Sequence, residues 1–316
     1  MDKVLSIVVL SYKNGGMLLE TIDSILNQDY PSIEIVICDD ASPDFDSSRL
    51  KQYIENNKKS NIKNTVILVN ETNQGTVKNL NRGISTASGT FIKAIAGDDC
   101  VYSKDVFSSQ VQYLIAHPED QFVVGNSVEC DEKMNPIKET GFLLDEDDVV
   151  FHDYDMLLKY VCRINQNALA TQAICFRKTF FEKNGLYDEG FKLIEDLPMA
   201  VRIAKRHLPF GYLNYPCVKH RGKVGVSTSN NAFDKKRITY YEDLEKYFRL
   251  CLLPLKRKVG LVYVPMRHKV AEFRVEYCRK SPLSGTGKLK LYLKYAVPLT
   301  YYAITKTRRV LFYLKK

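Results

Sequence analysis

The sequence predicts an α/β protein: an open, mainly parallel twisted sheet flanked by helices, followed by a helical C-terminal extension. Three observations carry this. Short β-rich runs alternate with helix-period segments over the first hundred residues, polar clusters follow those runs, and the charge balance changes sign near residue 231.

The first run, Leu5 to Leu10, is short and β-rich, of the kind found buried in parallel sheets. Met17, Leu18, Ile22, Ile25 and Leu26 then fall near one helical face, and Tyr30-Pro31 marks a turn before a second run, Ile33 to Cys38. Ser47 to Lys59 reads as a polar helix, Thr65 to Val69 as a strand, Gly75 to Ala87 as a helix, and Thr90 to Ala96 as a strand ending at Gly97-Asp98-Asp99. A helix over Ser103 to His117, a strand over Gln121 to Val128 and an acidic connector, Asp145 to Asp148, come next. A helix near Tyr154 to Val161 and a strand at Ala173 to Arg177 precede GLYDEGFKLIEDLPMAVRIAKRH, helical in its latter half with Pro198 in the first turn. From Asp234 onward the pattern is of helices broken at Pro254, Pro265, Pro282 and Pro298. The expected division is an α/β region over 1–231 and a basic helical region over 232–316.

At 316 residues the chain has room for about two domains of roughly 150 residues. Its 45% hydrophobic and 26% charged residues exclude a disordered or fibrous chain. No apolar run approaches the roughly 18 residues of a membrane-spanning helix, and the N-terminus, with Asp2 before Lys3 and no small-residue cleavage site, does not read as a secretory signal. Eight cysteines without a CxxC pair fit reduced thiols, so a cytoplasmic protein is expected.

The net charge of +9 conceals a split: residues 1–231 carry 25 Lys and Arg against 31 Asp and Glu, whereas residues 232–316 carry 21 against 6. Such an asymmetry speaks to partners rather than to fold.

In open α/β sheets, ligands bind beyond the carboxyl ends of the strands. The residues there are Ser11 and Tyr12, Asp39 and Asp40, Asn73 and Gly75, and Asp98 and Asp99. Neither GxGxxG after the first strand nor GxxxxGK[ST] occurs, so a bound phosphate needs another strategy. Paired carboxylates holding Mn²⁺ or Mg²⁺, with the cation neutralising a diphosphate, would supply it.

In order, SIVVLSYKNG, SILNQDYPSIEIVICDDAS, NQGTVKNLNRGISTASGTFIKAIAGDD and GLYDEGFKLIEDLPMAVR resemble the family 2 inverting glycosyltransferases, which have the GT-A fold. The resemblance covers residues 3 to about 230. It implies that Ser11 and Tyr12 line a nucleobase pocket, with Asp39 hydrogen-bonding the base. It further implies that Asp99 binds Mn²⁺ or Mg²⁺ and that Asp98 meets the ribose or the metal shell. Adjacent carboxylates at a strand end repel each other, and a cation relieves that repulsion.

The same resemblance makes Asp196 the catalytic base, with Glu195 and Arg202 supporting it. Inverting transfer needs one carboxylate to take the acceptor proton while the diphosphate leaves from the opposite face of the sugar. His220 would ligate metal or touch phosphate, and Arg221, with Lys223, would contact phosphate. Many relatives carry an arginine where Leu80 stands, so the resemblance implies that the cationic contact from that helix is either lost or replaced by Lys78. The bland alternatives are an Asx turn at Asp39-Asp40, a solvated turn at Asp98-Asp99, a helix cap at Asp196 and a structural His220.

The chain has no tryptophan, so the QxxRW signature of processive synthases is absent and single-sugar addition is expected. The implied donor is a nucleoside diphosphate sugar, with UDP-sugar first. The implied acceptor is a saccharide or lipid-linked saccharide of a bacterial capsule, lipopolysaccharide or other surface glycan. The stretch KLKLYLKYAVPLTYYAITKTRRVLFYLKK at 288–316 reads either as an interfacial helix on an anionic membrane, placing the protein at the inner face of the cell membrane, or as an ordinary packing helix with solvated lysines. Nucleic acid is disfavoured as a partner by the acidic first region. Two rivals stay in view: a silent nucleotide-sugar binding or scaffold protein of the same fold, and a sugar nucleotidyltransferase, whose glycine- and arginine-rich loop KNGGMLLE does not resemble. The sequence leaves sugar, linkage and oligomeric state open.

Overall fold

Over residues 5–96 the elements alternate in the order the sequence predicts: β1 (Leu5–Ser11), α1 (Met17–Leu26), β2 (Ile33–Asp39), α2 (Ser47–Asn57), β3 (Ile62–Val69), α3 (Thr76–Thr86) and β4 (Phe91–Ala96). There follow β5 (Cys100–Val101), α4 (Val106–Ala116), β6 (Phe122–Cys130), β7 (Pro136–Thr140), α5 (Tyr154–Lys159), β8 (Ile174–Arg177), α6 (Lys178–Asn184), α7 (Asp196–Arg206) and β9 (Gly211–Arg221). The computed structural model describes residues 3–164, 168–222, 235–280 and 283–313. The chain divides into two compact units, Met1–Gly225 and Val226–Lys316.

In the first unit the strands form one sheet of order β3-β2-β1-β4-β8-β6-β9-β5, with β7 on β6. β1, β2, β3 and β4 are parallel, from Leu5↔Ile33 to Ser11↔Asp39 in the central pair. Every residue of β2 is buried, as both-face burial of a parallel strand requires. Glu34 is a polar residue in that interior. Its carboxylate accepts from Ser6 Oγ (2.5 Å), Ser88 N and Oγ (both 2.8 Å) and Asn64 Nδ2 (3.1 Å). α3 lies against β1 and β2 at Gly83, where a Cβ would stand 2.4 Å from Val8 Cγ1 and 2.8 Å from Cys38 Sγ.

Beyond β4 the sheet becomes mixed: β8 runs antiparallel to β4 and β6, β5 antiparallel to β9, and β6 parallel to β9. β9 has no counterpart in the sequence reading, because Asn214 and Pro216 interrupt its apolar pattern. The ladder accommodates them with register shifts opposite Asn126.

The second unit is helical: α8 (Lys235–Tyr247), α9 (Lys256–Val259), α10 (Tyr263–Lys280), α11 (Gly285–Lys294) and α12 (Ala296–Tyr313). Pro265 and Pro298 sit in the first turns of α10 and α12 and open those helices rather than break them, because a first-turn N–H has no helical partner to lose. Phe273 of α10, Leu291 of α11 and Tyr295 form a buried cluster. Among the described residues no helix is long and apolar enough to cross a membrane, and none of the eight cysteines is in a disulfide.

Candidate active site

Parallel pairing brings the ends of β1 and β2 level, so Ser11 lies opposite Asp39. Ser11 Oγ donates to Asp39 Oδ1 (2.9 Å). The chain then turns at Ala41, whose φ of +63° is a strained value for a residue with a Cβ. That turn returns Ser42 to the carboxylate, where Ser42 N donates to Oδ2 (2.7 Å) and Ser42 Oγ to Oδ1 (2.7 Å). Lys13, also at positive φ (+58°), donates its N–H to Ser42 Oγ (2.8 Å) and ties the two loops together. Asp39 is buried with three donors on its two oxygens, which leaves lone-pair capacity for one more. Tyr12 follows, half-buried, with its N–H on Asn14 Oδ1 (2.6 Å). Beside this corner opens a cleft of about 790 Å³ lined by Ser11, Lys13, Asn14, Phe45, Arg49 and Tyr53 among others.

The neighbouring Asp40 does a different job. It accepts from Asn70 Nδ2 (2.9 Å), Gln74 N (2.7 Å) and Gly75 N (2.9 Å), fixing the loop that enters α3. Gly75 has φ +91°, and a Cβ there would meet Lys192 Cγ at 2.4 Å. Val77 N donates to Lys192 O (3.2 Å), while Asn81 holds the Tyr187 backbone through both its amide oxygen (3.0 Å) and nitrogen (2.9 Å). The segment carrying the acid pair is thereby packed against the start of α3.

β4 delivers Asp98 and Asp99, and the two-residue β5 pairs with β9 so that Cys100 faces Lys219. The next residues of β9 then reach Asp99. His220 Nδ1 lies 3.0 and 3.2 Å from its two oxygens, and Arg221 N donates to Oδ1 (3.0 Å). The Asp99 hydrogen bond pushes His220 up to about 9, against the effect of burial. Burial and then the charge of Asp99 push Asp98 up to about 6. Arg221 is buried and spends its guanidinium on Asp98 O (3.0 Å), Glu132 O (2.6 Å) and the Glu20 carboxylate (2.6 Å), so it bolts β9 to β4 and α1.

Glu195 and Asp196 stand half-buried at the start of α7. Asp196 Oδ1 accepts from Leu197 N (2.7 Å), and Thr171 hydrogen-bonds Glu195. Burial, then the Asp196 charge, pushes Glu195 up to about 8, and burial pushes Asp196 up to about 6. Arg202 donates to the carbonyls of Leu186 (2.6 Å) and Gly185 (3.2 Å), fixing the loop that leads to the acids. Lys78 is exposed on α3 and Leu80 is buried. Lys223 lies outside the described residues.

Sequence reasoning had no signal for Thr171, Asn81 or Glu20, whose partners are 24 or more positions away, or for Ser42, which reaches Asp39 only through the strained turn at Ala41.

For Mn²⁺ or Mg²⁺ the carboxylates of Asp98 and Asp99 are the hard oxygen donors such ions prefer, with the imidazole of His220 a borderline nitrogen donor beside them. Asp99 and His220 are in contact, and Asp98 is close enough to feel the Asp99 charge. Among the described residues no group of three or more His, Cys, Asp or Glu side chains is placed to hold a metal ion. A cation sharing its coordination sphere with substrate phosphates needs only one or two carboxylates, and the site fits that arrangement.

Residues 6–180 match the model of glycosyl transferase family 2, over half of the chain. The chain belongs to that family. It is similar to the glycosyltransferase GlyG of Streptococcus pneumoniae, 29% identical over 132 residues, 42% of either chain. The match covers about two fifths of the length of this relative and of the Bacillus subtilis relative EpsE, which is 33% identical over 127 residues. Two solved structures share the GT-A fold. One is Staphylococcus aureus TarS 1–349 in complex with UDP-GlcNAc (TM-score 0.56, 16% identity, covering 86% of this chain and 80% of that one). The other is the Pyrobaculum calidifontis mannosyltransferase PcManGT in complex with GDP-Man and Mn²⁺ (TM-score 0.57, 17% identity, covering 98% and 84%). In this family 2 chain the mixed second half of the sheet is therefore a feature of the fold.

Proposed function

We propose that this family 2 chain is a metal-dependent inverting glycosyltransferase that moves one sugar from a nucleoside diphosphate sugar, a UDP-sugar first, to a hydroxyl of a saccharide or lipid-linked saccharide in bacterial surface-glycan synthesis. The observation that carries this is the acid pair at the start of α7, two adjacent carboxyl groups whose surroundings raise their proton affinity. A general base works best when its proton affinity lies near the operating pH. Asp196 keeps Oδ1 on Leu197 N–H, which leaves Oδ2 to take the acceptor proton. As the acceptor oxygen bonds to the anomeric carbon, the bond from that carbon to the phosphate oxygen breaks and the nucleoside diphosphate departs. Glu195 stays protonated longer than its neighbour and limits the negative charge at the base. Arg202 acts as a positioning residue through the 184–186 backbone.

On the donor side, Ser11, Tyr12 and Asp39 would hold the base and Asp98 the ribose. Lys78, exposed on α3, would be a long-reach contact to the donor. Asp99 and His220 would hold Mn²⁺ or Mg²⁺, which when bound supplies positive charge to the leaving diphosphate. Arg221 would serve this side by keeping β9 against Asp98 and Asp99. A UDP-sugar and a GDP-sugar with Mn²⁺ in the two structural neighbours support this class of donor.

The deciding experiment is calorimetry of UDP-, GDP-, dTDP- and CMP-sugars with Mn²⁺ and with chelator, followed by product analysis with candidate acceptors. One donor should bind in a metal-dependent way and release nucleoside diphosphate with inversion at the anomeric carbon. No binding across the panel favours a silent scaffold, and pyrophosphate release favours a nucleotidyltransferase.

A further inference from the structure

In the second unit, α11 presents leucines that stay exposed among the described residues. α11 packs its inner side, Leu291 with the adjoining Tyr295, against Phe273 of α10. At 100° per residue the opposite side is formed by Leu289 and Leu293, which are 60% and 66% exposed, while Tyr292, its ring 5.3 Å from that of Phe273, sits at the margin between the two sides. Two leucines this open on one turn of helix are not what a solvated surface selects.

The charges around that stripe are one-sided. Lys290 flanks it on one edge and Lys288 on the other, both exposed. Lys294 is turned to Glu276 (2.7 Å), which also accepts from Tyr295 OH (3.0 Å) and Lys280 Nζ (2.6 Å) and so anchors α11 from its inner side. Glu276 is the last acidic residue of the chain: the forty positions after it hold ten Lys and Arg.

We infer that α11 docks this protein on an anionic lipid bilayer, with Leu289 and Leu293 at the boundary of headgroup and acyl chain and Lys288 and Lys290 among the headgroup phosphates. A leucine stripe edged by lysines, with a tyrosine at its margin, matches that boundary in both polarity and charge. A second copy of the chain matches it poorly. A two-fold contact through the stripe would bring Lys288 and Lys290 toward the same lysines of the other copy. Three side chains also bury far less than the roughly 1,000 Å² a stable interface needs. The inference adds a partner to the proposed transferase and rests on no step of transfer.

The test uses the whole chain and vesicles of phosphatidylcholine with and without phosphatidylglycerol, the anionic lipid that gives the surface its negative potential. Because the chain has no tryptophan, L293W supplies a single reporter on the stripe. Its emission should shift to the blue with anionic vesicles and stay unshifted with neutral ones. K288Q/K290Q should weaken co-sedimentation by about 25-fold, about fivefold per lysine. L289S/L293S should weaken it by about tenfold or more. UDP-sugar calorimetry on both variants should match wild type, which separates loss of docking from loss of the donor site or of the fold.

An unshifted L293W emission at saturating vesicle, or binding that survives both double variants, overturns the inference. A dimer in analytical ultracentrifugation that L289S/L293S dissolves, with no vesicle binding, assigns the stripe to a second copy and overturns it too.

Discussion

Replacing Asp196 by Asn is the most informative single change at the proposed site. Asn retains the oxygen that accepts Leu197 N–H (2.7 Å), so the first turn of α7 keeps its hydrogen bond and the fold is expected to hold. What is lost is the capacity to take a proton. General-base catalysis contributes about 10²–10⁴-fold, so kcat should fall by that factor, about 3–5 kcal/mol of barrier, while donor affinity stays within about threefold. The pH profile gives an independent reading. A base is active when deprotonated, and burial pushes Asp196 up to about 6, so wild-type kcat/KM should rise with pH through that value. D196N should lack this limb. The assay is nucleoside diphosphate release from pH 5 to 9, with calorimetry of the donor on the same preparations. If D196N retains more than a tenth of wild-type kcat, or keeps the limb near pH 6, the base is another group and the assignment fails.

Glu195→Gln tests the other half of the pair through stability. Burial raises the folded-state value to about 8 from an ordinary 4.5, so between those pH values the folded chain holds a proton that the unfolded chain has released. Wild-type stability should therefore fall as pH rises across that window, and E195Q, which mimics the protonated acid, should match wild type at pH 5 and melt at least about 3 °C higher at pH 8.5. Equal melting temperatures at both pH values would contradict this. Glu34→Ala should cost about 3 kcal/mol in urea unfolding, because it strips the acceptor from the hydroxyls of Ser6 and Ser88, the Ser88 N–H and the Asn64 amide. A loss below about 0.5 kcal/mol would mean that water replaces the carboxylate there. Gly83→Ala should destabilise by about 1–3 kcal/mol, since the new methyl enters the space of Val8 and Cys38. Arg221→Lys should lower the melting temperature and weaken donor binding together, because one ammonium cannot reach Asp98 O, Glu132 O and Glu20 at once. Loss of donor binding at unchanged stability would instead make Arg221 a direct phosphate contact.

Much of the first half of the fold was legible because its cause is local. Leu5 to Leu10 and Ile33 to Cys38 are strand-length runs, apolar except for Ser6 and Glu34, which hydrogen-bond each other, and such runs are what a strand buried on both faces favours. β9 was not legible: Tyr212, Asn214 and Pro216 break any simple period, and the segment becomes a strand because β6 and β5 lie on either side to pair with it. Pro265 and Pro298 read as breaks from sequence because proline's missing N–H is costly inside a helix, and whether a proline lies inside or at the start depends on where the helix begins.

The chain alone thus determined the order of the early elements, the acid-rich strand ends and the concentration of positive charge after residue 231, since each follows from residue type and spacing along one segment. The tertiary structure decided which acid does what. Asp39 and Asp40 are adjacent and chemically identical, yet alternation of side chains across the sheet points one toward Ser11 and the other toward Gly75. Asp99 meets His220 only because β5 and β9 pair across more than a hundred residues of chain. The proton affinities of Glu195 and Asp196 come from burial, a property of the surrounding fold that no pair of letters contains.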